Sequence, residues 1–560
     1  MKKFGSILVL VVLFPAVMAW GQKAFDFSEE AVISRLKQDV YTLASDEMEG
    51  RESGTEGERL AAAYIKERMQ EIGLQPLFGR SFIQEFQFPG EWVWGDNNRI
   101  RLGSRNFAHD ADFFTLPGSA STSVRAGFVD VGFGLDGVGG YSDYDGLPNL
   151  EGKIFVMEFF VPEIVENEVN LSFRELVLAK MQAAEDRGAA GIMFINVKSG
   201  RDDPRLDMRV AADTQDFPVV FLHEPTYRAL MQQPEAEIYL STELERTELT
   251  SMNVAGYIDN NAPSTVVIGG HFDHVGYGRR GSRSPGEELI HYGADDNASG
   301  TAGVLEAARY LIQSDLRNHN YIFIAFGAEE KGLIGSRYFT NSDAYDMERV
   351  NYMFNLDMIG RLEDYSLTMI GTGTSPSWEP LIDQLAPDHF NIRKVPGGVG
   401  GSDHTNFYLK DIPVIFFFTG THEDYHRPGD TPDKINYEGA REILGLMLDM
   451  IQSLDGEDRL AFTATPTTPR GGRQRTEGPT LGLMPDFGFD GDGLRVQAVI
   501  DNRPGQQAGL QNGDIIIRID GAEVLEIESY MEAIGKFRAG QTSVVVVKRG
   551  EEEVELEVSF

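Results

Sequence analysis

Apolar and polar positions follow different periods in different regions of the chain, and these periods predict its elements. Between positions 61 and 72 apolar residues recur at helical spacing and Gly73 closes the pattern, which predicts a helix that ends there. Further along, short apolar runs at 265–269, 321–326, 352–356 and 412–418 alternate with helical patterns. Strands that alternate with helices predict an α/β fold, with a mostly parallel mixed sheet flanked by helices.

The regions on either side of this alternation have other patterns. Residues 82–245 show short strand-like runs and loops, and none of their residues has an evident chemical role. Residues 456–478 are rich in threonine, proline, glycine and arginine, which predicts a linker. Residues 479–560 return to short strands, with apolar positions at period two near the end.

The first 21 residues have the pattern of an export signal. An apolar run over 7–18 follows Lys2 and Lys3 and precedes the tripeptide AWG, a small-x-small cleavage pattern that ends at Gly21. The run is shorter than the ~20 apolar residues that cross a bilayer. We predict cleavage after Gly21 and a secreted bacterial protein, periplasmic or extracellular; an uncleaved N-terminal anchor is the alternative. After cleavage no membrane is expected as a partner.

Composition narrows the classes of protein and partner. A chain of 560 residues is too long for a single core, so about two to four domains are expected. The formal net charge of −37 argues against nucleic acid as a partner. The chain has no cysteine, which excludes disulfides, thiolate ligands and cysteine nucleophiles.

Acidic residues and imidazoles stand at the ends of the apolar runs or shortly after them. They are His271, Asp295, the pair Glu329 and Glu330, Asp357 and His426. Parallel sheets carry their sites at one rim, so these side chains are expected to meet. Two imidazoles and three carboxylates, with one further carboxylate, form the inventory of a two-metal hydrolase site.

Some of these positions also have simpler explanations. Asp273 is placed to accept the second N–H of a metal-bound His271, yet an H-x-D pair alone is more often a surface pair. A carboxylate at the turn of Asp295 and Asp296 could bridge two cations, but capping of the helix that follows is a strong alternative for Asp296 or Asn297.

The two glutamates of the acidic doublet can have different roles, and the histidines differ in how well their surroundings suit a metal ligand. Glu329 and Glu330 point in different directions, so one can bind a metal while the other faces the attacking water. Of the ten histidines, only His271 and His426 are predicted as ligands. Four others could line the site, and the sequence does not decide between them: His274, His291, His404 and His422.

A series of motifs adds a family resemblance to this inventory. HFDH, GADDNASG, FGAEEKGLIGS, NLDMIG, GGSDHTNF and DYHRPGDTPDKIN occur in this order, after the stretch LASDEMEGRESGTEGERLAAAYI. Together they resemble the secreted bacterial zinc aminopeptidases related to leucyl aminopeptidase, a family that includes glutamate carboxypeptidase II and glutaminyl cyclase. The resemblance implies a dizinc exopeptidase with a phosphorylase/hydrolase-like fold, acting on peptides with a free N-terminus.

The resemblance also implies two Zn²⁺ per chain and a role for each residue. Glu330 and His426 would complete one site, His271 and Asp357 the other, and Asp295 would bridge both. Asp295 would be joined to Asp296 by a cis peptide. Glu329 would be the general base for a water that bridges the metals, and Asp273 would be the carboxylate behind His271.

Two further resemblances divide the chain. Residues 82–245 resemble an inserted protease-associated domain through a GKI strand, the helix-strand step at 180–192 and an FPV strand; such domains act as lids or substrate-access modules.

Residues 479–560 resemble a PDZ domain through TLGL at 480–483 and PGQQAGL followed by GDII. Such a domain either binds a peptide C-terminus in its groove or serves as a scaffold. The predicted divisions are 1–21 signal peptide, 22–81 N-terminal part of the peptidase domain, 82–245 insertion, 246–455 zinc peptidase domain, 456–478 linker and 479–560 PDZ domain.

Other functions stay open on the sequence alone. A carboxypeptidase or dipeptidase on the same scaffold needs a cationic pocket, for which Arg279, Arg280, Arg283 or Arg361 is available. A glutaminyl cyclase would use a single zinc, so a stoichiometry near two would count against it. A non-catalytic peptide-binding protein would suit the additional modules, but such relatives lose ligands and this chain keeps a full set.

Overall fold

The computed structural model describes most of the chain. The described ranges are 25–116, 118–138, 141–147, 150–161, 173–204, 215–284, 288–465, 480–485, 493–499, 503–525, 529–530, 533–534, 536–537, 541–550 and 552–560. The predicted signal peptide (1–21) and residues 466–478 of the predicted linker lie outside them. Within these ranges no helix has both the length and the apolar character needed to cross a membrane.

The described residues form helices and strands with the following bounds. The helices are α1 (Glu29–Leu43), α2 (Glu56–Ile72), α3 (Phe173–Glu185), α4 (Glu224–Leu230), α5 (Gly300–Gln313), α6 (Ile334–Asn341), α7 (Trp378–Leu385), α8 (His404–Tyr408), α9 (Tyr437–Leu454) and α10 (Pro504–Gln507). The strands are β1 (Gln75–Pro76), β2 (Ile83–Trp94), β3 (Arg99–Leu102), β4 (Arg105–Phe107), β5 (Phe113–Thr115), β6 (Ser123–Asp130), β7 (Asp136–Val138), β8 (Tyr141–Ser142), β9 (Ile154–Glu158), β10 (Gly191–Ile195), β11 (Val219–Leu222), β12 (Glu237–Ser241), β13 (Leu244–Ile258), β14 (Thr265–His271), β15 (Asn320–Phe326), β16 (Val350–Leu356), β17 (Ser366–Ile370), β18 (Asn391–Val395), β19 (Val414–Phe418), β20 (Leu483–Pro485), β21 (Leu494–Val499), β22 (Ile515–Ile519), β23 (Ala522–Glu523), β24 (Thr542–Arg549) and β25 (Glu552–Ser559).

The largest sheet has nine strands, in the order β1-β13-β15-β14-β16-β19-β17-β18, with β2 paired to β13. Its middle, β15-β14-β16-β19, is parallel. Strand β13 runs antiparallel to its neighbours, and β17 is antiparallel to β19 but parallel to β18. Every residue of β14, β15 and β16 is buried, which explains the continuous apolar runs in the sequence. The predicted α/β fold with a mostly parallel mixed sheet is confirmed.

Helices cover both faces of this sheet. Alternate residues of β14 divide between two cores: Ile268 packs in the core shared by α1, α2, α5 and α9, while Val267 packs with α6 and α8 on the other face. Helix α2 ends at Gly73, whose φ of 93° is left-handed and suits glycine. The N-terminal helices therefore share one core with α5, the helix that follows the GADDNASG motif.

The parallel strands end at one edge of the sheet, called here the polar edge. It is formed by the loops that follow β14, β15, β16 and β19. Strand β14 ends at His271, and Asp357 directly follows β16. Because β14 pairs with β15 on one side and with β16 on the other, the loops that leave these strands are neighbours.

Two other sheets belong to the flanking regions. The second has eight strands in the order β4-β3-β12-β6-β9-β10-β11-β5, and β6, β9, β10 and β11 within it are parallel. It lies in the chain between β2 and β13, which pair with each other in the nine-stranded sheet. The third sheet, β20-β21-β22-β24-β25 with β23 on β22, is antiparallel.

Candidate metal centre

His271, the last residue of β14, stands in the middle of the polar edge. Its Nε2 lies 3.2 Å from Asp357 Oδ1, 3.4 Å from Asp296 Oδ1 and 4.0 Å from Glu329 Oε2. Its Nδ1 lies 3.1 Å from the carbonyl oxygen of Asp273. A carbonyl oxygen only accepts, so Nδ1 donates to it and Nε2 is the ring nitrogen that faces the carboxylates.

A second imidazole is presented in the same way from the loop after β19. His426 Nε2 lies 3.2 Å from Asp296 Oδ2 and 3.2 Å from Glu330 Oε2. Its Nδ1 donates to the carbonyl oxygen of Gly281 at 2.8 Å, which leaves Nε2 as the nitrogen that faces the carboxylates. A third imidazole, His274, reaches the same place with Nδ1 2.8 Å from Glu330 Oε1.

These side chains form two groups, within each of which the donor atoms lie within 4.8 Å of one another. One group is His274, Asp296, Glu330 and His426, and the other is His271, Glu329 and Asp357. Asp296 joins them, because Oδ1 faces His271 and Oδ2 faces His426. Imidazole nitrogens and carboxylate oxygens that converge in this way can share a bound cation. The donor set is one that zinc favours, so the residues fit a pair of cations.

Asp295 belongs to neither group, which contradicts the predicted position of this residue. Its Oδ1 accepts hydrogen bonds from the amide of Gly360 at 2.6 Å and from Ser299 Oγ at 3.0 Å. Its Oδ2 lies 3.3 Å from His422 Nε2. Asp295 is therefore engaged beneath the polar edge, and Asp296 is the carboxylate that faces both His271 and His426.

The local backbone explains why the second carboxylate, and not the first, reaches the imidazoles. The turn Ala294–Ser299 is not a regular helix, because Asp296 and Asn297 have non-helical φ and ψ. The predicted cis peptide exists, but it joins Asp296 to Asn297 instead of Asp295 to Asp296. The two adjacent carboxylates consequently point in different directions.

Asp273 holds the loop of the acidic doublet. The backbone amides of Glu329 and Glu330 donate to its two carboxylate oxygens, at 3.0 and 3.3 Å. Ser53 Oγ donates to Asp273 Oδ2 at 2.8 Å. The carboxylate also lies behind His271 as predicted, but at 3.8 Å from Nδ1, whose proton goes to the Asp273 carbonyl oxygen instead. One residue thus orients both an imidazole and the doublet.

The pKa values of Glu329 and Glu330 are shifted in opposite directions by burial and by the neighbouring side chains. Burial raises the pKa of Glu329 well above its usual value, although the neighbouring His271 opposes the rise. Burial acts on Glu330 in the same direction, but hydrogen bonds from His274 and His426 outweigh it and hold the pKa of Glu330 well below its usual value. Adjacent carboxylates whose pKa values are driven apart are suited to different tasks.

The imidazoles respond to the same charges. Burial opposes protonation of His271, but Glu329 and Asp357 outweigh it and raise the pKa well above its usual value. In His426 burial is likewise outweighed, by Asp296 and Glu330, and the pKa rises to about 10. The polar edge therefore holds positive charge strongly, which is the electrostatic condition for binding cations.

Asp430 ties the loops of the centre together. Its Oδ2 accepts from the backbone amides of Asp295 at 2.9 Å and Asp296 at 3.0 Å. Its Oδ1 lies 3.2 Å from an Nη atom of Arg361. Asp430 is on the loop of His426 and Arg361 is on the loop after β16, so three loops are fixed relative to one another.

Arg51 performs a similar task from the N-terminal part of the chain. Its buried guanidinium donates to four carbonyl oxygens, those of Leu43, Phe272, Tyr292 and Gly293, over 2.6 to 2.9 Å. Phe272 follows His271, and Gly293 begins the turn that carries Asp296. Burial lowers the pKa of Arg51 to about 10.

Sequence reasoning left out several residues that the structure brings to this centre. His274 was one of four undecided histidines, and the second histidine of HFDH was the available signal. Asp296 was assigned a neighbouring role, and Arg51 and Asp430 were noted only as letters inside motifs. His291, His404 and His422 lie outside both groups: His291 accepts from Ser282 Oγ, His404 packs on Phe416, and His422 faces Asp295.

Comparison with known proteins adds two family matches. Residues 253–451 match the model of Peptidase family M28, and residues 466–560 match a PDZ domain model. The chain is similar to Aminopeptidase YwaD of Bacillus subtilis, with 25% identity over 467 residues that cover 79% of this chain and 92% of that protein.

Two further likenesses are more limited. Leucine aminopeptidase 2 of Trichophyton rubrum is 27% identical over 259 residues, which cover 40% of this chain and 48% of that protein. The chain thus spans about half the length of this fungal relative. Among solved structures, a zinc aminopeptidase from Bacillus subtilis is similar with a TM-score of 0.42 and 23% identity, covering 78% of this chain and 97% of that chain.

Proposed function

We propose that the chain, whose residues 253–451 match the model of Peptidase family M28 and whose residues 466–560 match a PDZ domain model, is a dizinc aminopeptidase. The observation that carries this proposal is the pair of donor groups at the polar edge, joined by the two oxygens of Asp296. The similarity to proteins named aminopeptidases supports the same reaction class.

Five residues would hold the two zinc ions. Glu330 and His426 would bind one, His271 and Asp357 the other, and Asp296 both. Zinc ions bound there would acidify a water molecule and polarise the scissile carbonyl. The protein's contribution is to fix the ligands, through Asp430 and Asp273, before substrate arrives.

Glu329 is the carboxylate that this ligand set leaves over. It lies in the group of His271 and Asp357, and its backbone amide is fixed by Asp273. A carboxylate placed so, with the burial that favours its protonated form, can take a proton from the attacking water and give it to the leaving amine. We assign Glu329 as the general base.

The similarity to proteins named aminopeptidases favours a substrate with a free amino terminus over one read from its carboxyl terminus. A carboxypeptidase would need an available cation, and one of the four candidate arginines, Arg361, is engaged by Asp424 and Asp430, at 3.2 Å each. The aminopeptidase is therefore preferred to the carboxypeptidase on this scaffold.

A substrate panel tests the proposal. The full chain is assayed on aminoacyl-anilides and on their N-acetylated counterparts, with and without a chelator. Hydrolysis of the free-amine series alone is expected, with loss of activity on chelation and recovery on adding zinc. Equal hydrolysis of the acetylated series, or activity that resists chelation, would contradict it.

Three regions outside the peptidase part have proposed roles as well: residues 1–21 in export, the second sheet in substrate access and the PDZ region in peptide binding. Export through residues 1–21 would place the enzyme in the periplasm or outside the cell, and N-terminal sequencing of the natural protein should begin at Gln22. The region of the second sheet would control access of peptides to the polar edge. The PDZ groove would hold a peptide C-terminus, which titration with C-terminally free and amidated peptides would detect as binding of the free series alone.

A further inference from the structure

His274 is the one imidazole of the centre that the ligand set above does not use. It is fully buried, and its Nδ1 lies 2.8 Å from Glu330 Oε1 but 3.8 Å from Asp296 Oδ2. Its backbone is fixed as well, because the amide of His274 donates to the carbonyl oxygen of Arg51 at 3.1 Å. A Cβ atom at Gly293 would lie 2.6 Å from the ring, so this position must be glycine.

The hydrogen bonds of His274 differ from those of the other two imidazoles. In His271 and His426 one nitrogen faces a backbone carbonyl oxygen and the other faces carboxylates. In His274 the nitrogen that faces a carboxylate is Nδ1, and Nε2 is buried without a hydrogen-bond partner in the described part of the chain. The carboxylates are therefore faced by Nδ1 in His274 but by Nε2 in His271 and His426.

This difference decides between two roles. An imidazole that binds a metal through Nδ1 must carry its proton on Nε2, and metal-bound histidines almost always donate that second proton to an acceptor. For His274 this would leave a buried N–H without a partner, which is rare and costly. With the proton on Nδ1, the ring donates to Glu330 and only a lone pair is left without a partner.

We propose that His274 is a positioning residue for the metal centre, a hydrogen-bond donor that fixes the Glu330 carboxylate and does not itself bind metal. Glu330 then divides its two oxygens: Oε1 accepts from His274, while Oε2 faces His426 at 3.2 Å and is left for a cation. The inference rests on the proposed dizinc function, and it concerns the site of Glu330 and His426 alone.

Amide variants separate donation from ligation. In H274N the amide nitrogen takes the place of Nδ1 and can still donate to Glu330, whereas H274A and H274Q remove a donor from that position. H389N, at an exposed histidine that pairs with Glu442, is the matched control. Each full-length chain is freed of metal with a chelator and titrated with Co²⁺ alone, by calorimetry and visible absorption, after thermal unfolding has shown that it is folded.

The wild-type chain and H389N are expected to bind two cobalt ions. H274A and H274Q should bind one of them about 10- to 100-fold more weakly, the effect typical of losing a hydrogen bond to a metal ligand, and the other unchanged. H274N should keep both affinities within about threefold and the wild-type absorption band, because no imidazole has left the coordination shell.

Each other result overturns the inference in a recognisable way. A changed cobalt band and weakened binding in H274N would make His274 a ligand. Wild-type binding in H274A and H274Q would leave it without a role. A wild-type chain that does not bind two cobalt ions would overturn the dizinc function itself and this inference with it, so the two failures are distinguishable.

Discussion

Two of the described sheets contain parallel strands with acidic residues at their ends. The partners of these carboxylates differ between the two sheets. In the second sheet, β6 ends at Asp130 and β9 at Glu158. Asp130 accepts from the amide of Gly132 and the hydroxyl of Tyr227, and Glu158 Oε2 accepts from two successive amides at 197 and 198. The protein itself therefore supplies hydrogen-bond donors to both carboxylates, and neither faces an imidazole nitrogen among the described hydrogen bonds.

At the polar edge of the nine-stranded sheet, acids and imidazoles face one another instead. The nearest group to His271 Nε2 is a carboxylate oxygen of Asp357, and His426 Nε2 has the same kind of neighbour in Asp296. Strand ends of both sheets carry acids, so an acidic strand end alone does not indicate a site. What distinguishes the polar edge is that its carboxylate oxygens and imidazole nitrogens converge where both can bind one cation.

The largest effect is expected from Glu329→Gln, which removes the one carboxylate of the centre assigned to proton transfer. The turnover number should fall about 100- to 10,000-fold, because the general base is lost. Bound zinc, measured by atomic absorption, should stay at the wild-type level. Glu423→Gln, an exposed change on the loop of His426, is the control. Turnover within a few-fold of wild type in E329Q would remove Glu329 from its assigned role.

A buried carboxylate behind the centre should make stability depend on pH. Glu58 accepts from Ser251 and Gly54, and burial raises its pKa from 4.5 to about 8. A group whose pKa is higher in the folded state stabilises it fully below pH 4.5, and that stabilisation is lost as the pH rises to about 8. Relative to Glu58→Gln, the wild-type chain should therefore lose about 2 to 4 kcal/mol of unfolding free energy across this window.

Denaturant titrations of the two chains at pH 4.5 and pH 8 measure this difference. Glu67→Gln, an exposed change on the same helix, should show none of it. An unchanged difference between wild type and E58Q at the two pH values would mean that Glu58 is already ionised in the folded chain.

Asp430→Asn tests the tie between the ligand loops. The variant keeps an acceptor but loses the charge that pairs with Arg361 and serves two amides at once. Zinc affinity should fall about 10- to 100-fold, as for other residues that orient ligands. Competition with a chromophoric chelator measures it, with the exposed Asp433→Asn as control. Equal affinity in both variants would show that the loops hold without Asp430.

The smallest effect is expected in the second sheet, from Glu158→Gln. Because burial already raises the pKa of Glu158 and the amide can replace one accepted hydrogen bond, the unfolding free energy should change by about 1 kcal/mol or less. Zinc content and turnover should match the wild type. A loss of zinc in this variant would contradict the conclusion that only the polar edge of the nine-stranded sheet takes part in metal binding.

The sequence predicted the strands of the polar edge well, because strands buried on both faces produce uninterrupted apolar runs. The run at 412–418 was two residues too long at its start, since β19 begins at Val414, after Pro413. The ligand types at His271, Asp357 and His426 could be predicted because each follows such a run.

The choice between Asp295 and Asp296 could not be made from residue types. It depends on the backbone angles of one irregular turn, which adjacent aspartates share. Arg51 and Asp430 act through backbone carbonyls and amides, and such acceptors and donors exist at nearly every residue. His274 was visible in HFDH, but its role depends on which of its nitrogens finds a partner.

The four hydrogen bonds of Arg51 have a consequence for biosynthesis. Three of them join it to acceptors 221 to 242 residues later in the chain, beyond the entire second sheet. When Arg51 leaves the ribosome, the carbonyls it will hold have not been made, and closing so long a loop is slow and costs entropy. Maturation of the catalytic apparatus must therefore wait until synthesis has passed Gly293, whereas the second sheet can assemble earlier from strands that are already complete.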